Sequence, residues 1–513
     1  MSLNKNEIVA AIDIGSNSIR MKIVEVKNNG KIVPLEDLRR SVNLGRDSFS
    51  YKNIGTETTK KTCDILNDFN KLLKEYKIKT VRAVATSAVR EAENNEYVLD
   101  QIKTKTGIAV EIINNAQERF FTYKAIRDRI EDYQGLRKEG ALMVDIGPGG
   151  VEASVYKDGY LNLTENIKVG SLRLREILCD LERKTLDFAE IMEKFVDNKI
   201  YLLKREIKEK QLKNMVGLGG ELKVIAYLCG YKTNEPVKVK KKDMDKLYDA
   251  LKSMSTQSLA QKYGIAADRA EMLLPSVIVF NEFLELVDSD YIIAPLVSLR
   301  DGLIADIADN RLDLQRKLDF QEDIIHLVRH LGERYNYDQQ HSASVEALAL
   351  KIFNDAKRIH GLKENEELYL QIAAILHDVG KFISLNEHPV NSYNIILQSN
   401  IIGLSSKELQ IIANVAKYHS EENPSLHDES YRSLGHKDRI IVSKLSAILK
   451  LADSLDISHR QHVKDIEISF DNDMLVKLNS AEDITLEQWV FENKSDFFHE
   501  VLGIRPIIKK RGR

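Results

Sequence analysis

The sequence predicts an α/β chain built as two related halves, then a histidine-rich helical region and a small α+β end. Three observations predict it. The segments "AAIDIGSNSIRMKIVEV" (10–26) and "ALMVDIGPGGVEASVYKDG" (141–159) share one pattern: apolar strand, Asp-Ile-Gly, small residues, second strand. Their aspartates, Asp13 and Asp145, stand 132 residues apart. All 12 histidines lie from His326 onward, in a region where apolar residues recur at helical spacing.

The bulk numbers bound the function. The 513 residues can form several domains and more than one core. A net charge of −3 provides no global field for nucleic acid or membrane, so neither is an expected partner. Two basic runs, "VKVKKKDMDK" (237–246) and "KKRGR" (509–513), read either as solvated surface and tail or as attractors of a polyanionic substrate. Cys63, Cys179 and Cys229 are far apart and form no C-x-x-C, which argues against a disulfide framework or thiolate metal site and fits a reducing cytoplasm. The start, "MSLNKNEIV", lacks a signal-length apolar core, and no apolar run approaches the roughly 18 residues of a membrane span.

The first turn carries Asp13, Gly15, Ser16, Asn17 and Ser18, more hydrogen-bonding groups than a hairpin requires. Glycine lets backbone N–H groups approach a ligand, and successive N–H groups form anion-binding concavities. The second turn (Gly147, Gly149, Gly150) and a third glycine turn, "VGLGGELKVIA" (216–226, with Gly219 and Gly220), allow the same use. Loops facing across a cleft could grip adjacent phosphates. The two aspartates repel phosphate unless a hydrated Mg²⁺ lies between them and it.

Between the turns, "VRAVATSAVREAENNEYVLDQI" (81–102) reads as a strand, then Thr86 and Ser87, then a helix with Arg90 and Asn94 on one face. Arg90 is a phosphate contact, through its guanidinium fork, or a surface ion-pair residue. "AVEIINNAQERFFTYKAI" (109–126) reads as a strand and a helix with Glu118 in its first turn, where a carboxylate also complements the helix dipole. The main boundary is expected at the charged stretch 304–320.

"AIDIGSNSIRM", "ATSAVREAEN", "NNAQERF", "VDIGPGGVE" and "SLRDGLI" (298–304), in this order, resemble the Ppx/GppA family of exopolyphosphatases and guanosine pentaphosphate phosphohydrolases over residues 7 to 310. The resemblance implies an actin-like α/β two-domain clamp of the sugar-kinase and Hsp70 superfamily, with domains at 1–126 and 127–310. It implies release of orthophosphate from polyphosphate or pppGpp in the interdomain cleft, with Mg²⁺ or Mn²⁺. By resemblance Glu118 activates the attacking water, Asp145 and Glu152 position metal and water, Arg90 binds phosphate, and Gly147–Gly150 and Gly219–Gly220 lie at the phosphates. A cytoplasmic homodimer is implied as well. A sugar kinase is the weaker reading, because no segment offers that enzyme's aspartate base and sugar-binding segment. The sequence departs from the family pattern at "GPGGVE", where Pro148 removes an N–H donor and Gly150 and Val151 replace two hydroxyls. It also departs at "NN" and at Gln117. These changes leave open a weakly catalytic sensor of polyphosphate or alarmone.

The C-terminal region holds helical segments at 341–361, 368–383 and 445–458. His341, the pair His377–Asp378 and Asp453 are expected to project from them, the pair about 100° apart on one helix. Mixed imidazole and carboxylate donors suit a divalent ion. This pattern resembles the HD phosphohydrolase superfamily over residues 320 to 460, and implies an all-α HD-like domain (311–462) with a second divalent metal. His388 and His419 would support those ligands or bind a further ion. The alternative function is therefore a metal-dependent nucleotide phosphohydrolase in this domain. Residues 463–513 read as two strands, a helix and a last strand, a small α+β cap that could pack on the cleft or on a partner subunit.

Overall fold

The computed structural model describes residues 6–510 except 183, 186, 209, 234 and 313–315. The end of the basic run at 511–513 and the first five residues lie outside the described residues. The chain forms two units, Met1–Ile324 and Ile325–Arg513. The division falls within the helix Arg316–Arg334, beyond the boundary of 310 expected from sequence.

The first unit holds two sheets. One contains β1 (Glu7–Ile14), β2 (Ser18–Val26), β3 (Ile32–Ser41), β4 (Thr80–Ala85) and β5 (Val110–Ile112), in the order β3-β2-β1-β4-β5. The other contains β6 (Ala141–Ile146), β7 (Val151–Lys157), β8 (Tyr160–Ile167), β9 (Asn214–Leu218), β10 (Val237–Lys240) and β11 (Tyr291–Ala294), in the order β10-β11-β9-β6-β7-β8. In each, an antiparallel meander of three strands continues into a parallel strand at the meander's first member. The repeat extends to register: Asp13 pairs with Arg20, and Asp145 pairs with Glu152. The central strands, EIVAAIDI and ALMVDI, are covered on both faces, which accounts for their unbroken apolar runs.

Each sheet has its own core. The first packs Ile12, Ile14, Leu66, Phe69 and Ile102; the second packs Leu142, Val144, Val196, Val277 and Phe280. The other face of the first sheet (Val9, Ala11, Val84) packs on Leu303 and Ile304. The helix Leu299–Leu312 thus returns from the second half to the first sheet, so the segment 127–310 is not one body.

The second unit is mainly helical. Its core helices are Gln339–Asp355, Glu364–Leu376, His388–Gln398, Ser406–Lys417 and His436–Ser454. β12 (Asp465–Phe470), β13 (Met474–Asn479) and β14 (Pro506–Lys510) form a third sheet. The C-terminal segment, expected against the cleft or a partner, packs through its helix Thr485–Leu502 onto His436–Ser454. No helix among the described residues is long and apolar enough to cross a membrane.

Candidate functional site

Every residue singled out for the N-terminal cleft lines one cavity of about 310 Å³ in the first unit. The ends of β1 and β6 bring in Asp13 and Asp145, and the turns after them bring in Gly15–Ser18 and Gly147–Gly150. The turn after β9 adds Gly219 and Gly220, and the two intervening helices add Arg90 and Glu118. At Gly219 the backbone is left-handed, and a Cβ there would stand 2.3 Å from the Ile146 carbonyl oxygen, so only glycine fits.

Glu118 lies in the first turn of the helix Asn115–Arg127. Asn114 caps that helix: its Oδ1 accepts from Gln117 N (2.8 Å), and Gln117 Oε1 accepts from Asn114 N (3.2 Å). The "NN" and Gln117 departures therefore form a capping box that fixes the helix start. Arg90 donates to the Ile113 carbonyl (2.5 Å) and to Asn115 Oδ1, and its Nη1 lies 3.6 Å from Glu118 Oε2. The Glu118 carboxyl is 30 % exposed to the cleft but walled by protein, and this burial raises its pKa against the pull of Arg90. Burial, with the charges of Glu118 and Glu221, pushes Asp145 up to about 7. Burial also raises Asp13, opposed by Arg20 and Arg300.

Some expectations are corrected. Arg90 and Asn94 do not share a helix face, because the helix Ser87–Glu91 stops after five residues. Asn94 instead holds Ile54, accepting its N–H (3.0 Å) and donating to its carbonyl (2.9 Å). Glu152 lines the cavity with both oxygens partnered: Oε2 receives Arg119 Nη1 and Oε1 receives Asn166 Nδ2. The turns spend part of their N–H supply internally, Gly15 N on Ser18 O (3.1 Å) and Gly147 N on Gly150 O (2.9 Å). Pro148 has a structural use, since its carbonyl accepts from Leu172 N (3.1 Å) and Arg173 N (2.9 Å). Arg173 continues to the Gly149 carbonyl (2.6 Å) and to Glu91 (2.7 Å), tying the second half's loop to the first half.

Sequence reasoning missed Arg20, Arg39 and Glu221, which also line the cavity. Strand alternation from Ser18 was a usable signal for Arg20. For Arg119 and Arg173 the sequence carried none, because the carboxylates they meet, Glu152 and Glu91, each lie in the opposite half.

The second unit gathers His341, His377, Asp378 and Asp453 as expected, with His388 and His419 beside them. The His–Asp pair is not on an α-helix. His377 ends the helix Glu364–Leu376, and Asp378 precedes the 3₁₀ turn Val379–Phe382. Asp378 Oδ2 lies 3.7 Å from His341 Nε2 and 3.6 Å from His377 Nε2. Its Oδ1 lies 3.5 Å from His388 Nε2 and 3.6 Å from His419 Nε2. Asp453 Oδ1 lies 3.4 Å from His341 Nε2 and 3.7 Å from His377 Nε2.

Each of these imidazoles turns Nε2 inward and bonds an oxygen through Nδ1. The partners are Asp456 for His341 (2.9 Å) and the carbonyls of Ala374, Leu385 and Ala416 for His377, His388 and His419 (2.8, 2.7 and 2.6 Å). That is the arrangement of metal-ligating histidines, with the second nitrogen fixing the tautomer. Burial and the neighbouring His377 push His419 down to about 3, leaving a neutral donor at pH 7. Burial also lowers His377. His341 is lifted to about 9 despite its burial, by hydrogen bonds to Asp453 and Asp456. Among the described residues, all groups of three or more such donors close enough to share an ion lie in this unit.

The chain matches the Ppx/GppA phosphatase family over residues 23–311 and the Ppx/GppA phosphatase, domain III, over residues 326–494. It is 21% identical over 452 residues to the guanosine-5'-triphosphate,3'-diphosphate pyrophosphatase of Photobacterium profundum, covering 86% of each protein. It is 24% identical over 315 residues to exopolyphosphatase 1 of Mycobacterium tuberculosis, covering 60% of this chain and 89% of that one. The crystal structure of an exopolyphosphatase from Cytophaga hutchinsonii superposes with a TM-score of 0.54 at 22% identity, over 59% of this chain and 98% of that one. This likeness is one of fold, and it makes the first unit a two-domain, actin-like α/β clamp.

Proposed function

The chain belongs to the Ppx/GppA phosphatase family, and from that premise we propose that its N-terminal cleft hydrolyses terminal phosphoanhydride bonds, releasing orthophosphate from inorganic polyphosphate or pppGpp. The observation that supports this most is the convergence on one cavity of a carboxylate, Glu118, an arginine beside it, Arg90, and three glycine turns. Phosphoryl transfer needs an oriented water, in-line positioning and neutralised charge, and little covalent chemistry from the protein.

In this reading the loops and Arg90 hold the terminal phosphoryl group. Glu118 orients a water and accepts its proton. The water oxygen bonds to phosphorus as the bridging P–O bond breaks, and the electron pair leaves with the shortened chain. Glu152, held by Arg119 and Asn166, lines the same wall and would position water and metal there. Asp13 and Asp145 are hard oxygen donors that fit Mg²⁺ or Mn²⁺ held through water. When bound, such an ion neutralises phosphate charge. The free cysteines Cys63, Cys179 and Cys229 accord with a reducing cytoplasm, and a homodimer belongs to the same proposal. Orthophosphate release from both substrates, with wild type and Glu118→Ala, tests the reading; the variant should lose at least ~10²-fold in turnover.

The His–Asp cluster supports a second reading, an HD-like divalent-metal site in the C-terminal unit. Its donors form two groups that share Asp378, His341, His377 and Asp453 on one side and His388 and His419 on the other. Mixed imidazole and carboxylate donors suit Mn²⁺ and other transition ions.

A further inference from the structure

The cleft of the first unit contains a cation that the proposed reaction leaves unused. Lys168 lines the cavity, is exposed, and lies between β8 and the helix Ser171–Glu182. We infer that Lys168 binds the penultimate phosphate of the substrate, and so sets the preference for a phosphate chain over a single phosphate. The inference rests on the reading of this cleft as a phosphoanhydride hydrolase, and adds to it the residue that holds the chain behind the reacting phosphoryl group.

The backbone carries the first part. Val169 N donates to the Ile167 carbonyl (2.8 Å), which makes a three-residue turn with Lys168 at its apex. Ser171 N donates to the Gly147 carbonyl (3.1 Å), which seats this turn against the second glycine loop. The fit is close: a Cβ on Gly170 would stand 2.2 Å from Gly150 N, and one on Gly150 would stand 3.1 Å from the Ile167 carbonyl oxygen. The backbone of Lys168 is therefore held beside the loop, while its flexible four-carbon stem lets the ammonium follow a ligand.

Charge carries the second part. Among the described residues, the cations lining the cavity are Arg20, Arg39, Arg90 and Lys168. Arg90 is engaged by the Ile113 carbonyl, Asn115 and Glu118. Arg20 Nε donates to Ser18 Oγ (3.0 Å), and Arg39 Nη2 lies 3.9 Å from Asp268 Oδ2. Lys168 has no hydrogen bond or ion pair among the described residues, so it can take a phosphate without giving up a contact. The loop beside it is short of donors: Pro148 has no N–H, Gly147 N is spent on Gly150 O, and Gly150 and Val151 carry no hydroxyl. An ammonium from the adjacent turn supplies positive charge there. The terminal phosphoryl group must reach Glu118, whereas the rest of the chain must run out to solvent. Lys168 is exposed, and so belongs to that outward course.

The test uses the full chain with excess Mg²⁺ and two probes, orthophosphate and methylenediphosphonate, whose P–C–P bridge is not hydrolysed. Calorimetry measures the binding of each, so turnover is not needed. Lys168→Met should weaken methylenediphosphonate about tenfold, the low end for a charge-assisted hydrogen bond, and orthophosphate by less than about twofold. Lys168→Arg keeps the cation and should stay within about threefold of wild type for both probes. With tripolyphosphate as substrate, Lys168→Met should raise KM about tenfold and leave kcat within about threefold, the pattern of binding shared by ground and transition states. Equal weakening of both probes would place Lys168 at the terminal phosphate and overturn the inference. Unchanged binding of both would overturn it too, as would a loss that Lys168→Arg shares in full, since that marks a structural role. Methylenediphosphonate binding wild type no more tightly than orthophosphate would remove the second-phosphate subsite. Diphosphonate binding that depends on Lys168, without orthophosphate release by the wild type, would leave the subsite standing and overturn the hydrolytic reading.

Discussion

Replacing Arg119 with methionine tests whether the two halves of the cleft are tied by a buried ion pair. Arg119 rises from the helix Asn115–Arg127, and Glu152 lies on β7 of the other sheet. Their side chains are 1 % and 12 % exposed. Burial, with the nearby charge of Arg90, depresses the guanidinium pKa to about 10 against the pull of Tyr123, Glu165 and Glu118. Arg119→Met removes the cation and leaves Glu152 with Asn166 as its remaining partner in this pair of bonds. Removing one member of a buried pair costs about 3–5 kcal/mol, because the other charge remains desolvated. At about 2 °C per kcal/mol for a unit of this size, the thermal transition of the first unit should fall by about 6–10 °C. Scanning calorimetry of the full chain reads this directly. The double variant Arg119→Met/Glu152→Gln should recover at least half of the loss, since no buried charge then stands alone. A fall below about 2 °C for the single variant, or no recovery in the double, would refute the argument.

Three further predictions follow from the same geometry. The acid limb of kcat/KM should lie above the ordinary carboxylate value, because burial raises Glu118 and the protonated form cannot accept a proton from water; Arg90→Met removes a charge that favours the carboxylate, so a pH–rate profile should show the limb moving to higher pH, and a shift downward would contradict it. Gly219→Ala places a Cβ against the Ile146 carbonyl in a left-handed backbone, and should cost about 1–3 kcal/mol in a thermal melt. Asp456→Asn, which changes only the carboxylate behind His341, should weaken Mn²⁺ binding to the C-terminal unit about 10–100-fold by calorimetry.

The cleft was largely legible in the sequence because its residues cluster in short turns after apolar strands, and because one turn occurs twice. Asp13 and Asp145 occupy matching register positions, so the repeat in letters is a repeat in structure. Pairings between distant segments were not legible. Arg119 with Glu152, and Arg173 with Glu91, depend on how two sheets face one another, which no local period encodes. Asn94 was misplaced for a different reason: Ala92 ends the helix Ser87–Glu91 in an extended conformation, and nothing in "AVREAEN" marks that stop. In the C-terminal region the donor set was readable from its histidines. Lys494, whose Nζ lies 2.8 Å from Asp453 Oδ2, was not, because it arrives from a segment whose packing partner the sequence left undecided.

The central claim is that Glu118 serves as the base in the N-terminal cleft. Orthophosphate release from long-chain polyphosphate and from pppGpp, with Mg²⁺, should be measured for wild type, Glu118→Gln and Asp378→Asn side by side. The account predicts loss of at least ~10²-fold for Glu118→Gln on whichever substrate the wild type uses, and near-wild-type release for Asp378→Asn. Release that survives Glu118→Gln and disappears with Asp378→Asn would contradict it and move the chemistry to the His–Asp cluster.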